Sequence, residues 1–130
     1  MEYLSVEEIL VIHARILDAT GGLHVVRDIN LIASIIEKPK SIFGGKEFYP
    51  SLFEKAAVYF DSCARYQAFF DGNKRTALAI AARFLYLNGY ELLVSNSEFE
   101  KFVITAVIKK YDIQRIAVWL KKHSKKIAKK

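Results

Sequence analysis

The chain has 130 residues, 52% of them hydrophobic and 26% charged, which suits a globular protein built on one core and excludes a disordered one. No apolar run nears the roughly 18 residues a membrane helix needs, the opening MEYLSVEE lacks the basic start of a secretory signal, and the lone Cys63 has no partner for a disulfide or metal cluster, so a cytoplasmic setting is expected. The formal charge of +6 comes from the end of the chain: KKHSKKIAKK, 121–130, holds six lysines, and removing these from the 20 basic residues leaves 14, equal to the acids.

Ser5 and Glu8 have the spacing of a capping box, and Ile9, Ile12, Ile16 and Leu17 recur at helical intervals behind them, so a helix is predicted over 6–19, ended by Gly21 and Gly22. Asp28 is placed to cap a second helix running to about Lys38, where Pro39 stops it. PKSIFGGKEFYP, 39–50, reads as a loop. Ser51 and Glu54 repeat the capping box before a third helix, predicted to reach about Ala68. The helix from Asn73 to about Asn88 is apolar nearly all round its interior, TALAIAARFLYLNG, and is expected to be the buried centre of the fold. YELLV, 90–94, is too short to assign beyond a brief strand or extended link. Ser97 and Glu100 are expected to open a further helix to about Lys110, and Asp112 to cap the last. The fold class is all-α, a compact bundle of about six helices, with residues 1–130 forming a single domain. The basic tail at about 121–130 is read as a solvated, frayed helix end, since lysines suit the C-terminal end of a helix dipole; no nucleic-acid-binding motif accompanies it.

YQAFFDGNKRTAL, 66–78, is the segment that points to chemistry. A first helical turn presents unpaired N–H groups and partial positive charge, a ready anion site. Gly72 leaves room beside it. Lys74 and Arg75 oppose the dipole and supply a point charge and a bidentate fork suited to phosphate. Asp71 can cap the helix or hold a divalent cation that bridges phosphate oxygens. Asn73 can bind a phosphate oxygen or fix the loop. A polyphosphate with Mg²⁺ satisfies all of these; the GxxxxGK[ST] pattern of a P-loop is absent.

The stretch resembles the signature of the Fic/Doc (Fido) family, HxFx[DN][AG]N[KR]R, with Phe69, Asp71, Gly72, Asn73, Lys74 and Arg75 in register. A lysine at position 74 is the Doc form; the adenylylating Fic branch usually has glycine there, and arginine where this chain has Leu78. EEILVIHARIL, GGLHVVRD, KPKSIFGG, YPSLFEKAA and TALAIAARFLYLNGY also resemble Doc-type death-on-curing proteins in order and spacing. The resemblance implies a Fido-like helical fold and transfer of phosphate from ATP, with Mg²⁺, to a threonine of a translation elongation factor, under restraint by an antitoxin encoded nearby. It also implies that the 39–50 loop is a flap against the target, with Ile42, Phe43 and Gly44 as contact residues.

The departure lies at the head of the motif. Where the family places its catalytic histidine this chain has Gln67, flanked by Tyr66 and Ala68. A neutral imidazole can take a proton from a hydroxyl near neutral pH; a glutamine amide can only orient or hydrogen-bond. Of the three histidines, His13 is read as structural, His123 as solvated, and His24, in the GGLHVVRD loop, as the one candidate to rescue the base. Arg27 either fixes its own loop beside Asp28 or reaches a substrate. Two readings of function follow: a Doc-type toxin, weak or inactive for want of a base, and a non-catalytic relative that binds nucleotide, antitoxin or another protein. A basic adaptor acting through the tail is a third and weaker one.

Overall fold

The computed structural model describes residues 1–128; Lys129 and Lys130, the end of the basic tail, lie outside the described residues. Its helices begin where short polar side chains satisfy the free amides of a first turn. Ser5 and Glu8 form the reciprocal capping box that opens α1, Val6–Thr20, which buries Ile9, His13 and Leu17 along one face. Asp28 accepts from the Asn30 N–H to open α2, Ile29–Glu37. Ser51 opens α3, Leu52–Tyr66, and α4 follows as Asn73–Leu87. α5, Asn96–Ile108, begins at Ser95, whose hydroxyl accepts from the Glu98 N–H. The S-x-x-E spacing occurs twice in SNSEFE, and the upstream pair, not Ser97 and Glu100, makes the cap. Asp112 caps α6, Ile113–Lys122.

Three further expectations are corrected. The 39–50 segment is not a plain loop. Lys38–Lys40 form a 3-10 turn with Pro39 buried, and β1, Ile42–Phe43, pairs with β2, Lys46–Glu47, as a hairpin. Its two-residue turn, Gly44–Gly45, has φ of 59° and 78°, the backbone a tight hairpin requires and glycine supplies. As far as it is described, the tail is not a frayed helix end: after α6, β4, Ser124–Lys126, pairs antiparallel with β3, Tyr90–Leu92. His123 is half-buried rather than solvated, stacked on Trp119 at 4.2 Å and accepted by the Trp119 carbonyl at 2.8 Å. No helix among the described residues is long and apolar enough to cross a membrane.

The bundle has a central helix, and it is α3 rather than α4. Every residue from Lys55 to Phe60 is buried, as are Ser62, Cys63 and Ala64, and α4 and α6 pack on its two sides. α4 keeps one edge in solvent, with Arg83 and Tyr86 exposed. Two polar side chains of α3, Lys55 and Tyr59, are buried because tertiary partners receive them. Lys55, 1% exposed, donates to the Pro39 carbonyl and the Glu47 carboxylate, both at 3.1 Å. The Tyr59 hydroxyl accepts from the Leu4 N–H at 3.2 Å, and burial raises its pKa to about 12, so it remains a neutral phenol. Burial likewise pushes the Cys63 thiol up to about 12, which removes it as a nucleophile.

Lys55 therefore joins the hairpin to the central helix. Lys55→Met keeps most of the apolar stem but leaves the buried Pro39 carbonyl without its donor. It is expected to cost about 1–3 kcal/mol in denaturant unfolding and to speed amide exchange at Phe48, whose N–H donates to the Ser41 carbonyl across the hairpin base.

Candidate functional site

The Phe69–Gly72 turn between α3 and α4 is held from below, from one side and from within. Below it lies His13, 3% exposed. Its ring stacks on Phe69 at 3.6 Å, nearly parallel, and its Nε2 lies 2.8 Å from the Asp71 carbonyl, to which it donates. From the side, the 21–28 loop pairs with the turn: Arg27 and Asp28 N–H both donate to the Ala68 carbonyl, and Phe70 N–H donates to Val25. From within, Asn73 closes a ring on Phe69, accepting from its N–H at 3.1 Å and donating to its carbonyl at 2.9 Å. Of the two roles open to the Asn73 side chain, the structure shows loop fixing.

α4 is the helix without a side-chain cap among the described residues. Its N-cap is Gly72 at φ 78°, ψ 14°, and a Cβ there would meet Leu17 Cδ2 at 3.0 Å and His13 Cδ2 at 3.7 Å. The first-turn amides thus stay open, in a turn that also carries Lys74 and Arg75. Asp71 does not cap the helix. Its Oδ2 accepts from the Leu23 N–H at 2.9 Å, which aims the carboxylate at the 21–23 loop. Arg75 reaches Glu100 of α5 at 3.9 Å with both side chains more than half exposed, an attraction that a bound anion can readily replace.

These groups share one cleft of ≈ 490 Å³, lined by Gln67, Asp71, Gly72, Asn73, Lys74 and Arg75 together with Gly21, Gly22 and neighbouring side chains. Gln67 ends α3 in the left-handed conformation, φ 52° and ψ 50°, a region histidine also visits more readily than most residues. Its carbonyl accepts from Arg27 Nε at 2.6 Å, and the Tyr66 carbonyl from Arg27 at 2.9 Å. Arg27 is therefore a cap on the C-terminal end of α3, a role sequence reasoning did not single out. His24 does not line the cleft and instead meets Asp18 at 2.7 Å. Ile42, Phe43 and Gly44 are exposed at the hairpin tip and also lie outside the cleft lining. No group of three or more His, Cys, Asp or Glu side chains able to hold a metal occurs among the described residues. Mg²⁺ shared with phosphate oxygens needs only one or two carboxylates, so Asp71 at the cleft wall fits that ion.

Burial lowers the His13 pKa from its ordinary 6.5, opposed only in part by the hydrogen bond to Asp71. The fold therefore favours neutral His13, and the unfolded chain takes the proton first. The stability this residue contributes is present above pH 6.5 and is lost as pH falls through the lowered folded value. Unfolding free energy measured between about pH 7 and about pH 5 should decline for the parent and less steeply for His13→Gln. Gly72→Ala should cost about 1–2 kcal/mol, because alanine at positive φ is strained and crowds Leu17. Asn73→Ala should cost about 1–3 kcal/mol by stranding both backbone groups of buried Phe69.

Residues 3–85 match the Fic/DOC family. The chain is 42% identical over 91 residues to the "Toxin Doc" of Mycolicibacterium smegmatis, covering 70% of this chain and 68% of that one. It is 35% identical over 95 residues to the "Protein kinase doc" of Escherichia phage P1, covering 73% and 75% respectively. With the family pattern spanning more than half of its length and the signature turn built at the start of α4, this chain belongs to the Fic/Doc family.

Proposed function

We propose that this chain is a Doc-type, toxin-like protein whose cleft binds ATP with Mg²⁺, and whose phosphoryl transfer is weak or absent because Gln67 occupies the place of the general base. The observation that carries the reading is the convergence on one cleft of an uncapped helix start, Lys74, Arg75, Asp71 and Gln67. ATP with Mg²⁺ would supply the phosphoryl group and neutralise part of its charge. The open amides of the first turn, the Lys74 ammonium and the Arg75 guanidinium bind and orient the phosphates and oppose charge developing on the transferred group. The Asp71 carboxylate, fixed by Leu23 N–H, is the metal-holding group.

The attacking hydroxyl must also lose its proton. The titratable side chains lining the cleft are Asp71, Lys74 and Arg75. The two cations cannot accept a proton in their charged forms, and a carboxylate shared with a metal is a weak base. The Gln67 amide can accept a hydrogen bond from the hydroxyl but cannot remove its proton. The acceptor, by family resemblance, is a threonine of a translation elongation factor, with the Ile42–Phe43–Gly44 hairpin tip aligning it and an antitoxin as the restraining partner. The second reading, a relative that binds nucleotide, antitoxin or another protein without transfer, is favoured by the same Gln67.

Calorimetric titration of ATP with Mg²⁺ should show binding that weakens in Arg75→Ala; equal affinity in both would remove the phosphate site. Labelled phosphate transfer to elongation factor should be near background for the parent and rise in Gln67→His towards a 10²–10⁴-fold effect, on the order of what one base contributes. Strong transfer by the parent would refute the missing base. Intact ATP binding with no gain in Gln67→His would establish the non-catalytic reading.

A further inference from the structure

Arg75 borders more than the cleft. It also lines a side pocket of ≈ 450 Å³ between α1, α4 and α5, and Thr20 is shared by the two cavities in the same way. The start of α4 thus opens in two directions: onto open amides and cations, and onto a space of different character. Ile16, Leu78 and Ala79 give the side pocket apolar walls, and Phe99 gives it an aromatic one. Phe99 is half-buried and packs against the core, which holds its ring in place. Asn96 and Glu100, both on α5, bring an amide and a carboxylate to the same lining. Apolar walls with one ring and a few placed polar groups suit a flat aromatic ligand better than a run of phosphates.

We infer that this side pocket receives the adenosine of the nucleotide whose phosphates lie on the α4 turn, with the base on Phe99 and its edge read by Asn96. The inference rests on the ATP reading of the cleft and adds to it the choice of base. Asn96 is free for this role because Ser95, not Asn96, caps α5. Its amide sets a donor beside an acceptor, the pair that matches N7 and the 6-amino group of adenine. Guanine shows two acceptors on that edge, so the amide oxygen would face another oxygen. Arg15 is the lining group that would suit guanine, but it also lines a surface groove with Glu7 and Glu8, whose opposite charge draws it away.

Glu100 completes the pocket. Its carboxylate lies 3.9 Å from the Arg75 guanidinium. When Arg75 turns to a phosphate, that carboxylate is released to accept from the hydroxyls of the sugar. Phosphate binding and sugar binding therefore support each other. Asn96, Phe99 and Glu100 all lie beyond residues 3–85, the part that the family pattern matches. The family pattern thus covers the phosphate turn, and α5 supplies the groups that select the base.

Calorimetric titration, with Mg²⁺ throughout, should compare ATP, GTP and inorganic triphosphate. The parent should bind ATP about tenfold or more tightly than either of the others. Asn96→Ala, at an exposed position, and Phe99→Leu, which keeps an apolar side chain on the core, should each weaken ATP about tenfold. Neither should alter the affinity for triphosphate, whereas Arg75→Ala should weaken both ligands. Circular dichroism verifies that each variant is folded. Triphosphate bound as tightly as ATP would overturn the adenosine pocket and leave the phosphate site standing. So would ATP affinity unchanged in both α5 variants, or GTP bound more tightly than ATP. Binding of none of the three ligands would overturn the pocket and the ATP reading together.

Discussion

A buried imidazole sets the position of everything that this protein's cleft presents. His13 stacks on Phe69 and holds the Asp71 carbonyl. In doing so it joins α1 to the turn from which α4 starts, across 58 positions of sequence. Phe69 must be in place for Asn73 to close on it, and Asn73 is the first residue of α4. The direction of the open amides, of Lys74 and of Arg75 follows from that geometry. A small polar anchor inside an apolar setting can do this because leaving its acceptor unpaired would be costly, so one arrangement of the turn is strongly preferred.

The start of α4 departs from local stability rules where the other helices obey them. Those helices have a Ser or Asp side chain on their first-turn amides. α4 has a left-handed glycine and two cations opposing its dipole. Both choices work against helix formation, and the surroundings offset them: backbone bonds from the 21–28 loop, the Asn73 ring on Phe69, and Arg27 on the last carbonyls of α3. Local conflict compensated by tertiary support is expected where a site binds something. The anion that such a turn is suited to receive would relieve the conflict.

The central helix shows the same logic in the core. The burial of α3 on nearly all sides is supported by partners from distant segments for Lys55, in the hairpin and its base, and for Tyr59, at Leu4. Those bonds tie the N-terminus and the hairpin to the same helix whose end presents Gln67. The hairpin tip, with Ile42 and Phe43 exposed, stands on a base that Lys55 bonds to the central helix.

Local chemistry between near neighbours determined most of the helices. Capping boxes and Asp caps act over three residues, so α1, α2, α3 and α6 were legible at their starts, and residues 71–75 could be proposed as an anion site because open amides and cations need only adjacency. Tertiary structure decided which helix is central, since the polar residues of α3 look solvent-facing until their distant partners are known. It decided that Asn73 fixes the turn, that Asp71 faces Leu23 rather than capping α4, and that Arg27 caps α3, because each depends on a segment more than 35 positions away or on a backbone conformation. It also turned Ser124–Lys126 of the lysine-rich end into a strand, where the free edge of YELLV supplied a ladder that composition cannot reveal. Interactions within one helical turn are encoded by neighbours; those between loops are encoded by the whole fold.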